Sequence, residues 1–307
     1  MRVVFMGTPD FAIPSLKALL EDDAFDVVAV VTQPDKPRGR SKKLTYCPTK
    51  EFALKQGLEV YCFDRIRNKE NIETLEKLKP DFMVTAAYGQ ILSQKVLDIP
   101  KMGCVNVHGS LLPKYRGAAP IQWAVINGEK QTGITTMLTE RGLDCGDILL
   151  KETVDIKEQE TAGELFDRLA VLGGEVLIKT LHGLADGSIT PKKQNEEEAT
   201  HFPMLQKQDG EIHWDKTAGQ IHNLIRGVNP WPGAYTTYKD MIIKIWSSQV
   251  VEGKGECGEI IKAKDELIVA CKEGAIKILE MQIPGKKRMA AELVLRGFEI
   301  DAKGKFV

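Results

Sequence analysis

The densest chemistry in the sequence lies in one stretch, Asn106-Val-His108-Gly-Ser110-Leu-Leu-Pro113-Lys-Tyr-Arg-Gly117. Asn106 and His108 are two residues apart, so in an extended strand both side chains leave the same side. An amide donor beside an imidazole at the end of a strand is equipped to stabilise an oxyanion and to move a proton. A second segment, Leu143-Asp144-Cys145-Gly146-Asp147, reads as a turn that offers a carboxylate. A carboxylate next to an imidazole fixes its tautomer and favours its protonated form. Spacing leaves open whether Asp144 or Asp147 faces His108. Ser110 lacks the Gly-x-Ser-x-Gly frame of a nucleophile elbow and reads as a turn residue. Asn-x-His with one acid lacks a third strong ligand, so no metal site is expected.

These side chains need a scaffold. Residues 2–6, 26–32, 58–62, 81–86 and 103–107 form short apolar runs rich in β-branched residues, alternating with helical patterns over 12–20, 49–56 and 69–79. Strands alternating with helices predict βαβ units and a mainly parallel, Rossmann-like sheet covered on both faces. Ligands of such sheets bind outside the carboxyl ends of the strands, which is where the Asn106–His108 segment falls. Gly7-Thr-Pro-Asp after the first run lacks the Gly-x-Gly-x-x-Gly spacing of a dinucleotide site and reads as a tight turn beside the crevice. A long helical pattern spans 161–185, and the polar, turn-rich stretch that follows reads as a connector. Beyond 207 come a helix near 218–226 and several short β-like runs, which suggest a small barrel. The expected organisation is therefore an α/β catalytic domain over 1–189, a linker over 190–206 and a β-barrel domain over 207–307. Trp231, between two prolines, reads as a packing residue.

The 307 residues carry 42 Lys plus Arg against 43 Asp plus Glu, a net charge of −1, which excludes a protein coated in basic charge for bulk nucleic-acid binding. Local basic runs remain: Pro34-Asp-Lys-Pro-Arg-Gly-Arg40-Ser-Lys42-Lys43 reads as a loop able to grip phosphates, and Gly285-Lys286-Lys287-Arg288 is a second run. At 43% apolar and 28% charged the composition excludes disorder. Six cysteines without a CxxC pair read as reduced thiols. The first apolar run is too short for a signal peptide and no run approaches a membrane span, so a cytoplasmic protein with no membrane partner is expected.

Asn106-Val-His108-Gly-Ser-Leu-Leu-Pro113-x-x-x-Gly117 followed by Leu143-Asp144-x-Gly-Asp resembles the folate-dependent formyltransferases. Phe5-Met-Gly-Thr-Pro-Asp-Phe-Ala, Thr32-Gln-Pro-Asp-x-Pro-x-Gly-Arg40-x-Lys-Lys-Leu and Gln282-x-Pro-Gly-Lys-Lys-x-Met289 resemble the branch of that family acting on tRNA, and the match runs from residue 1 to about residue 298. The resemblance implies that Asn106, His108 and Asp144 are catalytic. It implies that Ser110, Leu111, Leu112 and Pro113, with backbone groups of Ala86, Ala87 and Tyr88, hold the reduced folate 10-formyltetrahydrofolate, the formyl donor. It further implies that Arg40, Lys42, Lys43, Lys286 and Lys287 contact an initiator Met-tRNA whose α-amine is the acceptor, that the second domain is an OB-fold, and that no metal takes part. A monomer is expected, since the crevice must admit a large RNA. An amino-sugar nucleotide N-formyltransferase shares the trio, the Ser-Leu-Leu-Pro segment and a Pro-Trp-Pro-Gly run; the basic loop and Lys286-Lys287 argue against it. An RNA-binding protein on a retired catalytic scaffold is opposed by the intact trio. Glu211-Ile-His213-Trp214 departs from the family, which commonly has Asp before this Trp, and leaves the role of His213 open, as is that of Asp147.

Overall fold

The computed structural model describes residues 1–38 and 43–307, with side chains described outside 36–43. The chain forms two compact units: Met1–Gly117 with Thr132–Val154 and Phe166–His201, and Ala118–Gln131 with Asp155–Leu165 and Phe202–Val307. The stretch 190–206, read from composition as a linker, is shared between them, its first twelve residues in the first unit.

The first unit is built on β1 (Arg2–Gly7), α1 (Ala12–Leu20), β2 (Asp26–Thr32), β3 (Lys36–Arg38), β4 (Lys43–Thr45), α2 (Pro48–Lys55), β5 (Val60–Cys62), α3 (Lys69–Leu78), β6 (Phe82–Ala86), α4 (Gln94–Leu97), β7 (Cys104–His108) and β8 (Arg116–Gly117). After α5 (Pro120–Ile126), which belongs to the second unit, follow β9 (Gln131–Leu138), β10 (Ile148–Asp155) and the long α6 (Ala162–Ala185). One seven-stranded sheet runs β10-β9-β7-β6-β1-β2-β5. The five strands from β7 to β5 are parallel, whereas β9 runs antiparallel to β7. All five residues of β6 and five of the six in β1 are buried, as both faces of a parallel sheet must be when helices cover them. On one face Val4, Met6, Val31 and Met83 pack with Ile72 and Leu75 of α3. From β1 the chain first builds β2 and β5 on one side and then crosses to β6 on the other, which opens a crevice at the carboxyl ends of β1 and β6. The basic segment 34–43, read as a loop, instead contains strand: β3 lies within it and pairs antiparallel with β4, which begins at its last residue; residues 39–42 lie outside the described residues.

The second unit contains α5, the end of β11 (His201–Phe202), α7 (Ala218–Gly227), β12 (Ala234–Tyr238), β13 (Met241–Val251), β14 (Ile260–Ala263), β15 (Leu267–Ala270), β16 (Ala275–Gln282), β17 (Met289–Ala290) and α8 (Ala291–Leu295). Its strands pair antiparallel in the order β12-β13-β16-β15-β14, with β17 on β16. The carboxyl-terminal tail then curls the sheet. Thr237 and Val307 exchange backbone hydrogen bonds of 2.8 and 2.9 Å, while Ile260 N–H donates to Gly304 O and Phe306 N–H to Gly258 O, both at 2.9 Å. One short segment thereby covers both edge strands, which removes the exposed edges of an open sheet. Alternation in β12 sends Ala234, Thr236 and Tyr238 inward, and α7 supplies Ile221 and Ile225 to the same core as Ile243, Ile276 and Ile278. A capping box, Thr217 with Gln220, starts α7. Trp231 departs from the packing expectation: carried on the Pro-Trp-Pro turn between α7 and β12, its side chain stands 52% exposed.

One buried histidine of this unit is expected to give it a pH dependence. His222 lies in the core, with Nδ1 3.0 Å from Ser248 Oγ and Nε2 3.4 Å from the Glu158 carbonyl. Burial holds its pKa below the ordinary histidine value. The unfolded chain therefore binds this proton more readily than the folded one, so the stability contributed is complete above the unfolded pKa and is lost as pH falls through the folded one. Urea unfolding at about pH 7.5 and about pH 5.5 is expected to show a loss of stability in acid. In His222→Gln that loss should be smaller; an equal loss would place the acid sensitivity elsewhere.

Candidate active site

Four neighbouring parallel strands end side by side at Gly7, Thr32, Ala86 and His108. Gly7 is needed here for close approach rather than for unusual backbone angles, since a Cβ would sit 2.5 Å from Ala12 Cβ and 3.1 Å from Ala86 O. β7 holds Asn106 and His108 in extended backbone, so both project from one face. Thr85, the cross-strand neighbour of Asn106 on β6, donates its hydroxyl hydrogen to Asn106 Oδ1 at 2.8 Å. That bond fixes the amide: its carbonyl is occupied and its NH2 is the end left to donate.

His108 is buried, and its Nε2 lies 3.0 Å from the carbonyl of Tyr115. A carbonyl only accepts, so Nε2 carries a hydrogen and donates it. Nδ1 is then the nitrogen left for chemistry. It faces Asp144 Oδ1 at 3.7 Å, too far for a direct hydrogen bond and near enough for charge to act. Asp144, not Asp147, is thus the acid opposite His108. Asp144 sits at φ +52°, a left-handed conformation rare for a side-chain-bearing residue. Its Oδ2 accepts from Gly117 N–H at 2.8 Å. Gly146 lets the same turn close, because a Cβ there would meet Leu138 O at 1.8 Å.

The Ser110–Pro113 segment is a pinned turn. Thr135 Oγ1 donates to Ser110 O at 2.6 Å and accepts from Leu112 N–H at 3.1 Å, while Ser110 Oγ donates to Lys114 O at 2.8 Å. The Ser110 hydroxyl is spent inside this turn, as its reading as a turn residue expects. Leu112 and Pro113 are buried and Leu111 is half-buried. Ala86 closes β6; Ala87 and Gly89 follow at φ +47° and +85°, and the Tyr88 carbonyl accepts from Thr8 Oγ1 at 3.0 Å and Gln33 Nε2 at 3.3 Å. The structure therefore sets Ala86–Tyr88 at the carboxyl edge, one strand from the Asn106–His108 pair. Lys286 and Lys287 are exposed on the turn between β16 and β17 of the second unit. Arg40 and Lys42 lie outside the described residues, and of Lys43 only the backbone, at the start of β4, is described.

Sequence reasoning missed Thr85, Thr135 and Tyr115, whose hydrogen bonds hold these segments in place. For Thr85 a signal existed: it is a polar residue inside an otherwise apolar, fully buried strand.

Comparison with known proteins identifies the family of the chain. The family profile described as "Formyl transferase" matches residues 1–181, and "Formyl transferase, C-terminal domain" matches residues 204–299. A methionyl-tRNA formyltransferase of Caldanaerobacter subterraneus subsp. tengcongensis is 52% identical over 303 residues, covering 98% of both chains. One from Acetivibrio thermocellus is also 52% identical, over 304 residues, covering 98% of this chain and 97% of its own. This chain belongs to the methionyl-tRNA formyltransferase family. Solved structures share the family's fold at lower identity. An N-formyltransferase from Helicobacter canadensis, in complex with folinic acid and dTDP-3-aminofucose, superposes with a TM-score of 0.66 at 19% identity, covering 90% of this chain and 98% of its own. A methionyl-tRNA formyltransferase from Clostridium thermocellum gives 0.56 at 19% identity, covering 83% and 95%.

Proposed function

We infer that this chain transfers the formyl group of 10-formyltetrahydrofolate to the α-amine of methionine on initiator Met-tRNA, the step that prepares this tRNA for translation initiation. The observation that carries the reading is near-complete alignment, at about half identity, with proteins named for this activity. The Asn106, His108 and Asp144 cluster at the sheet's carboxyl edge supports it. We assign catalysis to these three residues within 1–189 and tRNA contact to Arg40, Lys42, Lys43, Lys286 and Lys287, the last two within 207–307.

The donor set suits a formyl carbon under attack by an amine. A free α-amine has a pKa near 7.7–8.0, so about a tenth or more is neutral and nucleophilic at pH 7. Stabilising the oxygen that gains charge then matters more than deprotonating the amine. As the N–C bond forms, the C=O electron pair moves to oxygen, and Asn106 NH2 donates to it. His108, tied to Tyr115 through Nε2, presents Nδ1 as a second donor, with Asp144 stabilising the positive charge the ring acquires. The incoming amine loses a proton as it becomes an amide; when the old C–N bond breaks, the departing folate nitrogen gains one. His108 and Asp144 are placed to carry that proton. No residue in this account needs a metal, and among the described residues no His, Cys, Asp and Glu cluster could hold one. At the folate end, the left-handed turn at Ala87 and the pinned Ser110–Pro113 turn offer backbone groups to a planar, polar pterin.

The deciding assay offers 10-formyltetrahydrofolate with charged initiator Met-tRNA, charged elongator Met-tRNA and a 4-amino-sugar nucleotide in parallel. Formylation of the initiator is the expected result; transfer to the sugar alone would keep the trio and discard the RNA reading. Arg40→Ala should raise KM for tRNA and flatten the salt dependence by about one phosphate contact while folate binding stays intact. Lost folate binding in that variant would contradict the division of roles. We further propose a cytoplasmic monomer. Among the described residues no helix is long and apolar enough to cross a membrane.

A further inference from the structure

Gln194 lies 50 residues beyond Asp144, in the polar stretch read from sequence as a linker. Its Nε2 donates to the carbonyls of Asp144 and Gly146, each at 2.8 Å. Its Oε1 accepts from Arg116, from Nε at 3.1 Å and Nη2 at 2.8 Å. A primary amide has two hydrogens to give and two lone pairs to fill, so these four bonds use its whole capacity. Arg116 in turn is buried, 2% exposed, and its guanidinium also pairs with Glu196 at 2.7 Å.

The partners matter because of what they carry. On one side is the Asp144–Gly146 turn, whose carboxylate faces His108 Nδ1. On the other is the 115–117 segment, in which the Tyr115 carbonyl holds His108 Nε2 and Gly117 N–H holds Asp144 Oδ2. A single side-chain amide therefore ties the backbone of the Asp144–Gly146 turn to the side chain of Arg116, a residue of the segment that seats the other edge of the same imidazole. Asp144 sits in a left-handed conformation, which aspartate tolerates better than most residues with a Cβ but still adopts at some cost, so the bonds that hold this turn matter.

We propose that Gln194, anchored by Arg116, is a positioning residue for catalysis: it sets the placement of the Asp144 carboxylate against His108 and touches no substrate. The inference rests on the catalytic assignment proposed above. Loss of the two N–H donors frees the turn to relax toward ordinary negative φ, which swings the carboxylate from Nδ1. A displacement near 1 Å at a reacting group costs on the order of a hundredfold in rate.

The test compares wild type with Gln194→Glu and Gln194→Met in steady-state formyl transfer, with kcat expressed per folate-binding site so that misfolded molecules do not count. Gln194→Glu is nearly isosteric and keeps an acceptor for Arg116, yet it has no hydrogens to give and sets a carboxylate against two carbonyls. Gln194→Met removes both halves of the contact. The expected result is a kcat roughly 10- to 100-fold lower in both, with KM for folate and for tRNA unchanged. An unchanged kcat in Gln194→Glu overturns the proposal, as does a rise in KM for folate that accounts for the whole defect. If Gln194→Glu yields no folate-binding protein, Gln194→Met decides by the same readout. A wild-type enzyme that formylates none of the acceptors overturns the functional reading and this inference with it; an active wild type with an unaffected Gln194→Glu overturns this inference alone.

Discussion

Asn106→Ala is expected to lower kcat for formyl transfer on the order of 100- to 1000-fold, about 2.7–4 kcal/mol, the cost of removing one donor from a developing oxyanion. Binding of folate and of tRNA should survive. The variant removes a half-buried side chain at the end of a strand whose backbone ladder to β6 remains, so the loss falls on the step in which charge reaches the formyl oxygen. Thr85 donates to Oδ1, which leaves the NH2 end of Asn106 to act as the donor. Thr85→Val, nearly the same shape without the hydroxyl, should therefore lose part of the same rate, about tenfold, by leaving the amide free to turn. Single-turnover formylation with saturating Met-tRNA separates chemistry from binding in both variants. Wild-type turnover in Asn106→Ala would sink the oxyanion assignment. A Thr85→Val enzyme as slow as Asn106→Ala would show that the threonine acts by more than orientation.

How much of this site is legible in the sequence follows from the range over which each signal acts. The strand under Asn106 and His108 is readable because burial on both faces of a parallel sheet leaves a continuous apolar run. The two residues at its end are readable because polar chemistry breaks that run where a ligand binds. Helices 69–78 and 218–227 are legible from their periodicity, and the long helix from its leucines. What stays hidden is set by tertiary closure. β9 adds to the sheet antiparallel, although its residues, six of eight buried, differ little from those of the interior parallel strands. The choice of Asp144 over Asp147 depends on one left-handed residue and on Gly117 N–H, neither of which spacing encodes. Gln194 is the extreme case: in a Lys-Lys-Gln-Asn-Glu-Glu-Glu run it carries no periodic or apolar mark, and its four bonds exist only once residues 116 and 144 have been brought beside it.

The coupling of Asp144 to His108 predicts the other large effect. Asp144→Asn retains size and an oxygen for Gly117 N–H, but it removes the negative charge 3.7 Å from Nδ1. In an imidazole–carboxylate pair of a different enzyme class the same exchange costs about 10⁴-fold in turnover because the ring loses its orientation and charge partner. Here the two atoms stand beyond direct hydrogen-bond distance, so the expected loss is smaller, on the order of 10²- to 10³-fold. His108→Ala should lose a similar amount, since Asp144 has then no ring to act through. The decisive variant is the double one. If the carboxylate works through the imidazole, His108→Ala with Asp144→Asn is about as slow as the slower single variant, because residues that act as a unit are not additive. Losses that multiply would mean that Asp144 handles the amine's proton independently of the ring. The tie from His108 Nε2 to the Tyr115 carbonyl favours the first outcome: with that nitrogen spent on the backbone, Nδ1 is the ring's one exchangeable position, and Asp144 is the charged group that faces it.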